Sequence, residues 1–548
     1  MSTFTGLNTM VTGIFANQTG LNTVGHNIVN AGTTGYSRQM TNDTSNRAEY
    51  HYGYKIGTGV STTSITRSRD IYADKQYWDT NSTMKYYDDK ATHYDRLEAI
   101  FNDSKDEGIH DALGAFYQSW VDLSTEASSS ANRNTVIEKG KILCNSIQTA
   151  ATELQDHIES TYENISLYTS EIDDILQKIV NVNKLVVAAE ADGSSANDLR
   201  DQRDLLVDNL SDYINVTVNE DTFGNYQINC NGVTLVDGPT RLHLKMSAPV
   251  PSSVYGVDYG VSDYTIQIKE SNIIFMPTDG KLRAEFDTIS KCKEYIDDLA
   301  NMSIFMMTSL NDMQAAGYDM NGREGRNFFG VTDYNYGYSV DSDTGIHYLE
   351  VGDTSLRSYK LTGTGIIEAL EVNPQFSEVG GYKYIAAATA YDTKYDYTSD
   401  TDLSSRKIDW GNRTADGTNA VYISELFNMP FDTIVSTGRV NATIVQKYTD
   451  ANGNYITATG QSSLNSYYQS SMTKLGVEAS SIDTKYNQYE GLMTQIQNWR
   501  DSASGVDWND ELTKMIMYQK GYSSCARCLT AIDECLDKLV NGTGTVGR

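Results

Sequence analysis

Apolar positions at the start of the chain recur at helical spacing: Leu7, Met10, Ile14, Leu21 and Ile28, with Gln18 interrupting the line. Residues three and four apart share one helix face, so the pattern predicts a helix over 1–30. Gly6, Gly13 and Gly20 are spaced by seven and also share a face. Each costs about 1 kcal/mol relative to Ala in a helix interior, while the missing side chain lets another backbone approach closely. A helix built this way needs a partner. The opposite end of the chain supplies one, in the line Leu512, Met515, Gln519, Tyr522, Ala526, Leu529, Ile532, Leu536 and Leu539. An amphipathic helix must bury such a face. The two ends are therefore expected to form one assembly module, paired within the subunit and completed by neighbouring copies, rather than a plain two-helix hairpin closed within one chain. A heterologous contact that does not close on itself produces a helical filament.

Between the ends, 31–67 reads as loop and strand, and helical pattern returns over 69–102 and 109–123. The clearest periodicity lies within 141–192, which contains neither Gly nor Pro. There Ile147, Ala151, Leu154, Ile158, Thr161, Ile165, Tyr168, Ile172, Ile175, Ile179, Val182, Val186 and Ala189 alternate at spacings of four and three. This is the repeat of a coiled-coil seam or long bundle helix, and at 1.5 Å per residue it spans roughly 75 Å. After Gly193-Ser194-Ser195, either Ser195 or Asn197 can cap a further helix over 198–213. From 214 to 275 the texture becomes alternating, with turn signals at Asn231-Gly232 and Asp237-Gly238, which predicts strands and hairpins. Helix returns over 281–316, a second β-like tract covers 327–459, and helices follow over 463–499 and after Ser504-Gly505-Val506.

Composition sharpens this picture. The chain has 548 residues, enough for several domains, and a net charge of -29. Nucleic-acid and anionic-membrane binders need a concentrated basic surface, so neither partner is expected. No apolar run reaches the ~18 residues of a membrane-spanning helix, and the N-terminus lacks a secretory signal pattern. The 6 Pro fall well short of the ~27 that average usage would give, which suits long helices. The 38 Tyr are in excess, with no account at the level of sequence.

Candidate chemistry is sparse. Cys525, Cys528 and Cys535 include a Cys-x-x-Cys pair, but no second Cys or His pair lies nearby in sequence. The three fall within an arc of ~80° overlapping the apolar line, which reads as a buried thiol face. Asp450-Ala451-Asn452-Gly453-Asn454 carries its Gly at the fourth position, where a calcium loop needs it at the sixth, and reads as a hairpin turn. The seven His form no His-Glu-x-x-His; Gly-x-Ser-x-Gly and the phosphate-binding Gly-rich loop are absent as well. His26 reads as a hydrogen-bonding packing residue, and Asp173-Asp174 and Asp297-Asp298 as solvated helix faces. Arg200 and Asp204, four apart, can pair on one helix; the acidic and basic run from Asn197 to Asp204 suits either capping or a subunit interface. No catalytic residue, cofactor site or metal site is expected.

Three stretches carry a family resemblance. Asn27-Ile28-Val29-Asn30-Ala31 followed by Thr34-Gly35-Tyr36-Ser37-Arg38-Gln39 resembles the loop shared by axial proteins of the bacterial flagellum, and Ser37-Arg38-Gln39 is closest to their hook–filament junction branch. Ala196-Asn197-Asp198-Leu199-Arg200-Asp201-Gln202-Arg203-Asp204-Leu205-Leu206, and at the far end Ser504-Gly505-Val506, Asp510-Glu511, Met515, Tyr518-Gln519 and Tyr522, resemble the same family. His26, Val29, Trp508 and the three late cysteines depart from its pattern. The resemblance implies an extracellular, non-enzymatic structural subunit, exported by the flagellar type III route without a cleaved signal. Implied partners are copies of itself, the hook protein, a second junction protein or filament proteins, and a cytosolic export chaperone on the C-terminal helix. Implied interface residues add Asn27, Asn30, Tyr36, Arg38 and Gln39 to the two apolar lines. Alternatives are flagellin or another axial protein, or a secreted glycan-binding adhesin acting through 327–459.

The expected fold is α+β and multidomain: a terminal α-helical coiled-coil module (1–60 and 505–548), a long helical-bundle rod domain (61–326, with a β segment near 214–280, and 461–504), and a β-rich outer domain (327–460).

Overall fold

The computed structural model describes residues 3–51, 54–101, 108–353, 355–389, 415–429 and 463–542. Helix α1 (Thr3–Asn30) leads through a loop into an antiparallel ribbon, Gln39–Ser45 against Val60–Arg67, whose register starts at Gln39↔Arg67 and shifts between Asn42 and Asp43. Helices α2 (Ile71–Phe101) and α3 (Ile109–Thr125) follow. The long helix α4 runs from Ser130 to Ala189, starting about three turns earlier than the apolar repeat alone indicates. Ser129 caps it by accepting from the Asn132 N–H.

The expected seam of α4 faces the interior. Ile147, Leu154, Ile158, Thr161, Ile165, Ile172, Ile179 and Val186 are fully buried, and Ala189 alone along the line is exposed. Helices α3, α5 (Asn197–Tyr213) and α6 (Lys281–Phe305) pack along α4. Helix α6 continues through a π turn, Met306–Leu310, into the short α7 (Asn311–Ala315). Trp78, Trp120, Phe116, Phe328 and Phe329 belong to the same continuous core.

The 214–275 region folds as expected into short antiparallel strands, among them the meander Thr217–Glu220, Tyr226–Cys230, Val233–Asp237, Thr240–Arg241. Asn231 and Gly232, both at positive φ, make its tight hairpin, the geometry for which Asn-Gly is preferred. Within the described part of the 327–460 tract, Tyr334–Val340, His347–Asp353 and Ser358–Leu361 form a three-stranded antiparallel sheet. The short helices α8 (Thr364–Ala369) and α9 (Thr418–Glu425) accompany it, α8 against α6 and α9 against α3. Tyr338, Leu349, Ile366, Leu370 and Ile385 join the core of the helical domain. The Asp450–Asn454 turn lies outside the described residues. Helix α10 (Leu464–Ser504) opens on a reciprocal Ser463/Ser466 cap and lies along α2, burying Tyr468, Leu475, Ile482 and Ile496. The last helix, α11, spans Trp508–Gly542.

Side-chain pairing departs from expectation at the acidic pairs. Asp173 is ion-paired with Arg241, and Asp297 and Asp298 accept from the Tyr259 and Tyr467 hydroxyls. These three are tied, half-buried groups rather than a solvated face, while Asp174 stays exposed as expected; burial raises the Asp297 carboxyl to about 6. Tyr86–Asp287, Tyr94–Glu478, Tyr162–Asp263 and Tyr226–Asp204 repeat the arrangement. Here the tyrosine excess finds a physical role. In a chain with 72 acidic and 43 basic residues, phenols supply hydrogen-bond donors to carboxylates between elements while their rings fill the core.

The terminal helix pair and its joint

Helices α1 and α11 pack antiparallel in one constant register. A methyl group placed on Gly6 would lie 3.7 Å from Ile532 Cδ1, one on Gly13 3.0 Å from Cys525 Sγ, and one on Gly20 2.5 Å from the Tyr518 ring. Gly521 is likewise closed off by Asn17, and Asn27 Nδ2 donates to Glu511 Oε2 at 2.9 Å. In all five pairs the two residue numbers sum to 538. The heptad glycines of α1 are thus sockets for the heptad knobs Tyr518, Cys525 and Ile532 of α11.

This register turns both helices relative to the lines read from apolarity. On α1 the buried residues are Gly13, Ala16, Gly20, Thr23, Val24 and Asn27, while Leu7, Met10, Ile14, Leu21 and Ile28 are half-buried on the flanks and Gln18 is exposed. On α11 the seam is Glu511, Tyr518, Gly521, Cys525 and Ile532. Met515, Ala526, Leu529 and Leu536 sit half-buried beside it, and Leu512, Gln519, Tyr522 and Leu539 are exposed. The reason is size. A glycine groove accepts a large knob whatever its polarity, and Tyr, Cys and Glu carry little weight in an apolar count. The cysteine expectation is corrected with it: Cys525 is half-buried against Gly13, but Cys528 and Cys535 are exposed.

Asn27 ends the seam with every side-chain valence used. Its Oδ1 accepts from the Tyr36 hydroxyl at 2.7 Å and the Gln39 N–H at 2.9 Å, and its Nδ2 donates to the Gln39 carbonyl and to Glu511. A buried amide satisfied in this way specifies one geometry: it locks the loop exit, the ribbon's first residue and the start of α11 together. Asn30 closes α1 by donating to the His26 carbonyl at 3.0 Å, and His26 stacks on Tyr36. Gly35, at φ +78, lies where a side chain would be strained and would press on Leu205 at 3.1 Å. The Arg38 N–H donates to the Ser504 carbonyl, and Gln39 Nε2 donates to Asp198 Oδ1 at 2.8 Å.

Beneath that loop lies a buried ionic joint drawn from several separate elements. Arg67 Nη1 reaches Asp201 Oδ1 at 2.6 Å and Asp204 Oδ2 at 2.7 Å. Arg69 pairs with Asp74 through two nitrogens and donates to the Ser37 hydroxyl, while the Ser37 N–H donates to Asp201. Arg500 bridges Asp74 and Asp208 at 2.9 and 2.7 Å, and Trp78 Nε1 donates to Asp208. Burial pushes the Asp204 carboxyl up, but Arg69, Arg67 and the Tyr226 hydroxyl outweigh it and hold it below the usual range. At Asp208 burial prevails over Arg500 and raises the carboxyl. Arg200 does not pair with Asp204 as expected; it bonds Glu190 and Glu220 instead. Helix α5 has no side-chain cap either, since Ala196 holds that position and Asn197 donates to the Ile65 carbonyl. The 196–206 run therefore serves as the bed on which the 34–39 loop rests.

Comparison with known proteins follows the same division. The family model described as the flagellar hook-associated protein FlgK helical domain matches residues 94–329. That of the flagellar basal body rod FlgEFG protein C-terminal region matches 500–542, which is the end of α10 and all of α11. Flagellar hook-associated protein 1 of Bacillus subtilis (strain 168) is 26% identical over 100% of both chains. The Salmonella typhimurium protein of that name is 25% identical over 98% of this chain and 99% of its own.

Along its whole length the chain is similar to flagellar hook-associated protein 1.

Its fold agrees: the structure of the flagellar hook junction protein FlgK from Burkholderia pseudomallei superposes with a TM-score of 0.56 at 15% identity, over 78% of this chain and 100% of that one. Hook-associated protein 1 chains are structural proteins of the flagellar hook–filament junction, and neither the flagellin nor the adhesin alternative is favoured. Among the described residues no helix is long and apolar enough to cross a membrane. Sequence reading missed Arg67, Arg69, Asp74, Asp208 and Arg500, which fall in four separate stretches of the chain. The only local signal was the Asp201/Asp204/Asp208 spacing along α5.

Proposed function

We propose that this chain builds the junction layer by self-assembly through α1 and α11, with the helical domain held outside that contact by the Arg–Asp joint. The observation that carries this reading is the incompleteness of the pair. Ala16 and Val24 are its buried apolar side chains among the described residues, while Phe15, Leu512, Ile516, Met517, Leu539 and Val540 stand 42–74% exposed. Exposed apolar side chains gathered on one helix pair mark an interaction surface. Copies of the chain would cover it laterally, with the hook protein on one side and a second junction or filament protein on the other. Before export the same face of α11 suits a cytosolic chaperone, and the finished layer is extracellular. Interface residues under this reading are the flanking Leu7, Met10, Ile14, Leu21 and Ile28 with the exposed Leu512, Gln519, Tyr522 and Leu539. The role is structural, not enzymatic. Deleting 512–548 tests it: the truncated chain stays soluble with its helical domain folded and fails to join hook to filament. Normal filament attachment by that truncation contradicts the proposal.

A further inference from the structure

The helical domain buries a group of ionisable side chains for which a junction role has no use. Asp89 and His93 lie one turn apart on α2, and Glu285 faces them from α6. One donor atom from each lies within 4.8 Å of the others. His93 Nε2 is 3.1 Å from Glu285 Oε2 and 3.6 Å from Asp89 Oδ2. Glu285 is 0% exposed, and neither of its oxygens makes a hydrogen bond of normal geometry; Asp89 Oδ2 is buried and unbonded in the same way. Behind them, His157 of α4 sets its Nε2 3.3 Å from His93 Nδ1.

We propose that this cluster is a binding site for a borderline divalent cation, Zn2+ above all, with Asp89, His93 and Glu285 as ligands. Three features support it. A tetrahedral zinc ion holds oxygen and nitrogen ligands at about 2.0–2.2 Å, which separates neighbouring donors by roughly 3.3 Å; the 3.1 and 3.6 Å separations already present match that edge. The second feature is the orientation of His93. Its Nε2 faces the two carboxylates while its Nδ1 lies 3.3 Å from His157 Nε2, so that an Nδ1–H donated to His157 would leave Nε2 to ligate an ion, as an outer partner fixes a metal-ligating imidazole. The third is charge. Among the described residues His93 alone ion-pairs with Asp89 and Glu285, so at most one positive charge faces two carboxylates, and an excess of buried negative charge is costly. The mixed nitrogen and oxygen set suits zinc better than calcium or magnesium, which take oxygen ligands. Three protein ligands leave one position for water. Since α2 and α6 supply the ligands, an ion there ties α2 to the N-terminal turns of α6, and it binds only the folded domain.

The test uses the full chain with the exposed Cys528 and Cys535 replaced by Ser, so that thiolate binding does not contribute. Stripped with EDTA and titrated with Zn2+ at pH 7.5, it binds one ion per chain by calorimetry, and its thermal midpoint rises by several degrees. Glu285→Gln and Asp89→Asn weaken that binding by at least tenfold while helix content by circular dichroism is unchanged. Co2+ in the unsubstituted site gives a four- or five-coordinate visible spectrum without a thiolate charge-transfer band. That spectrum decides the matter even where a variant fails to fold. Absence of stoichiometric Zn2+ binding by the folded chain overturns the proposal and leaves a buried ion pair. So does equal affinity in a folded Glu285→Gln variant, or a thiolate or octahedral Co2+ spectrum.

Discussion

Helix α4 and the α1–α11 pair show one heptad-like period used in two ways. Along α4 the repeat is filled with Ile, Leu and Val, fully buried against helices and strands of the same chain. Along the terminal pair the repeat is filled with Gly on one side and Tyr, Cys and Ile on the other, and few apolar side chains are removed from water. Burying a large aliphatic side chain contributes about 1.5–3 kcal/mol, and a glycine contributes nothing of the kind. Period sets direction of packing, but residue size sets whether the packing is finished within one chain. The helical domain is finished. The terminal pair fits closely yet leaves apolar side chains exposed on its outer surface.

The largest expected effect lies in the finished region. Trp120 is fully buried beside Phe116 and Phe328, so Trp120→Ala should cost about 3–5 kcal/mol in urea unfolding, whereas Phe15→Ala, at 63% exposure, should stay within about 0.5 kcal/mol. Comparable losses from the two would break the contrast.

The joint between the regions comes next. Asp204→Asn leaves Arg67 and Arg69 facing a neutral group in a buried site, a loss of about 3 kcal/mol. Because the folded carboxyl titrates below its ordinary value, its stabilisation is complete above about pH 4 and disappears as the pH falls through the folded value. The gap between wild type and Asp204→Asn urea midpoints should therefore be wide at pH 6 and shrink toward pH 3. A gap independent of pH would mean that the ion pairs are not what Asp204 contributes.

Gly20→Ala places a methyl group against the Tyr518 ring. Overpacking of this kind costs about 1–3 kcal/mol, felt here as faster exchange of α1 and α11 amides and weaker junction formation, with the urea midpoint of the helical domain unmoved. The smallest stability effect should come from Ile516→Ser, within about 0.5 kcal/mol by urea, together with loss of filament attachment. An exposed residue of the helical domain, Leu167→Ser, should change neither.

The two regions also differ in how far they could be read from sequence. The α4 seam was legible because its residues are apolar, large and continuous, so period and burial coincide. The helix boundaries around 71–101, 109–125 and 464–504 followed from similar signals. The terminal pair was legible as two helices that need each other, but not in its rotation. Tyr518 and Cys525 are knobs only because Gly20 and Gly13 stand opposite, a fact about two segments more than 490 residues apart. The loop motif from Asn27 to Gln39 and the run from Asn197 to Asp204 could each be seen; that one is the bed for the other could not, since Arg67, Arg69 and Arg500 carry no local pattern. The Asp89, His93 and Glu285 cluster was invisible for the same reason.

The most direct test of the central claim, that α1 and α11 are completed by neighbouring copies, is hydrogen exchange on the free chain and on the chain within the assembled junction. The account predicts slow exchange for α4 and α6 in both states. It predicts exchange for α1 and α11 that is fast in the free chain and slowed by at least a hundredfold on assembly. Equal and strong protection of α1 and α11 in both states would contradict it, and would make the terminal pair a finished hairpin within one chain.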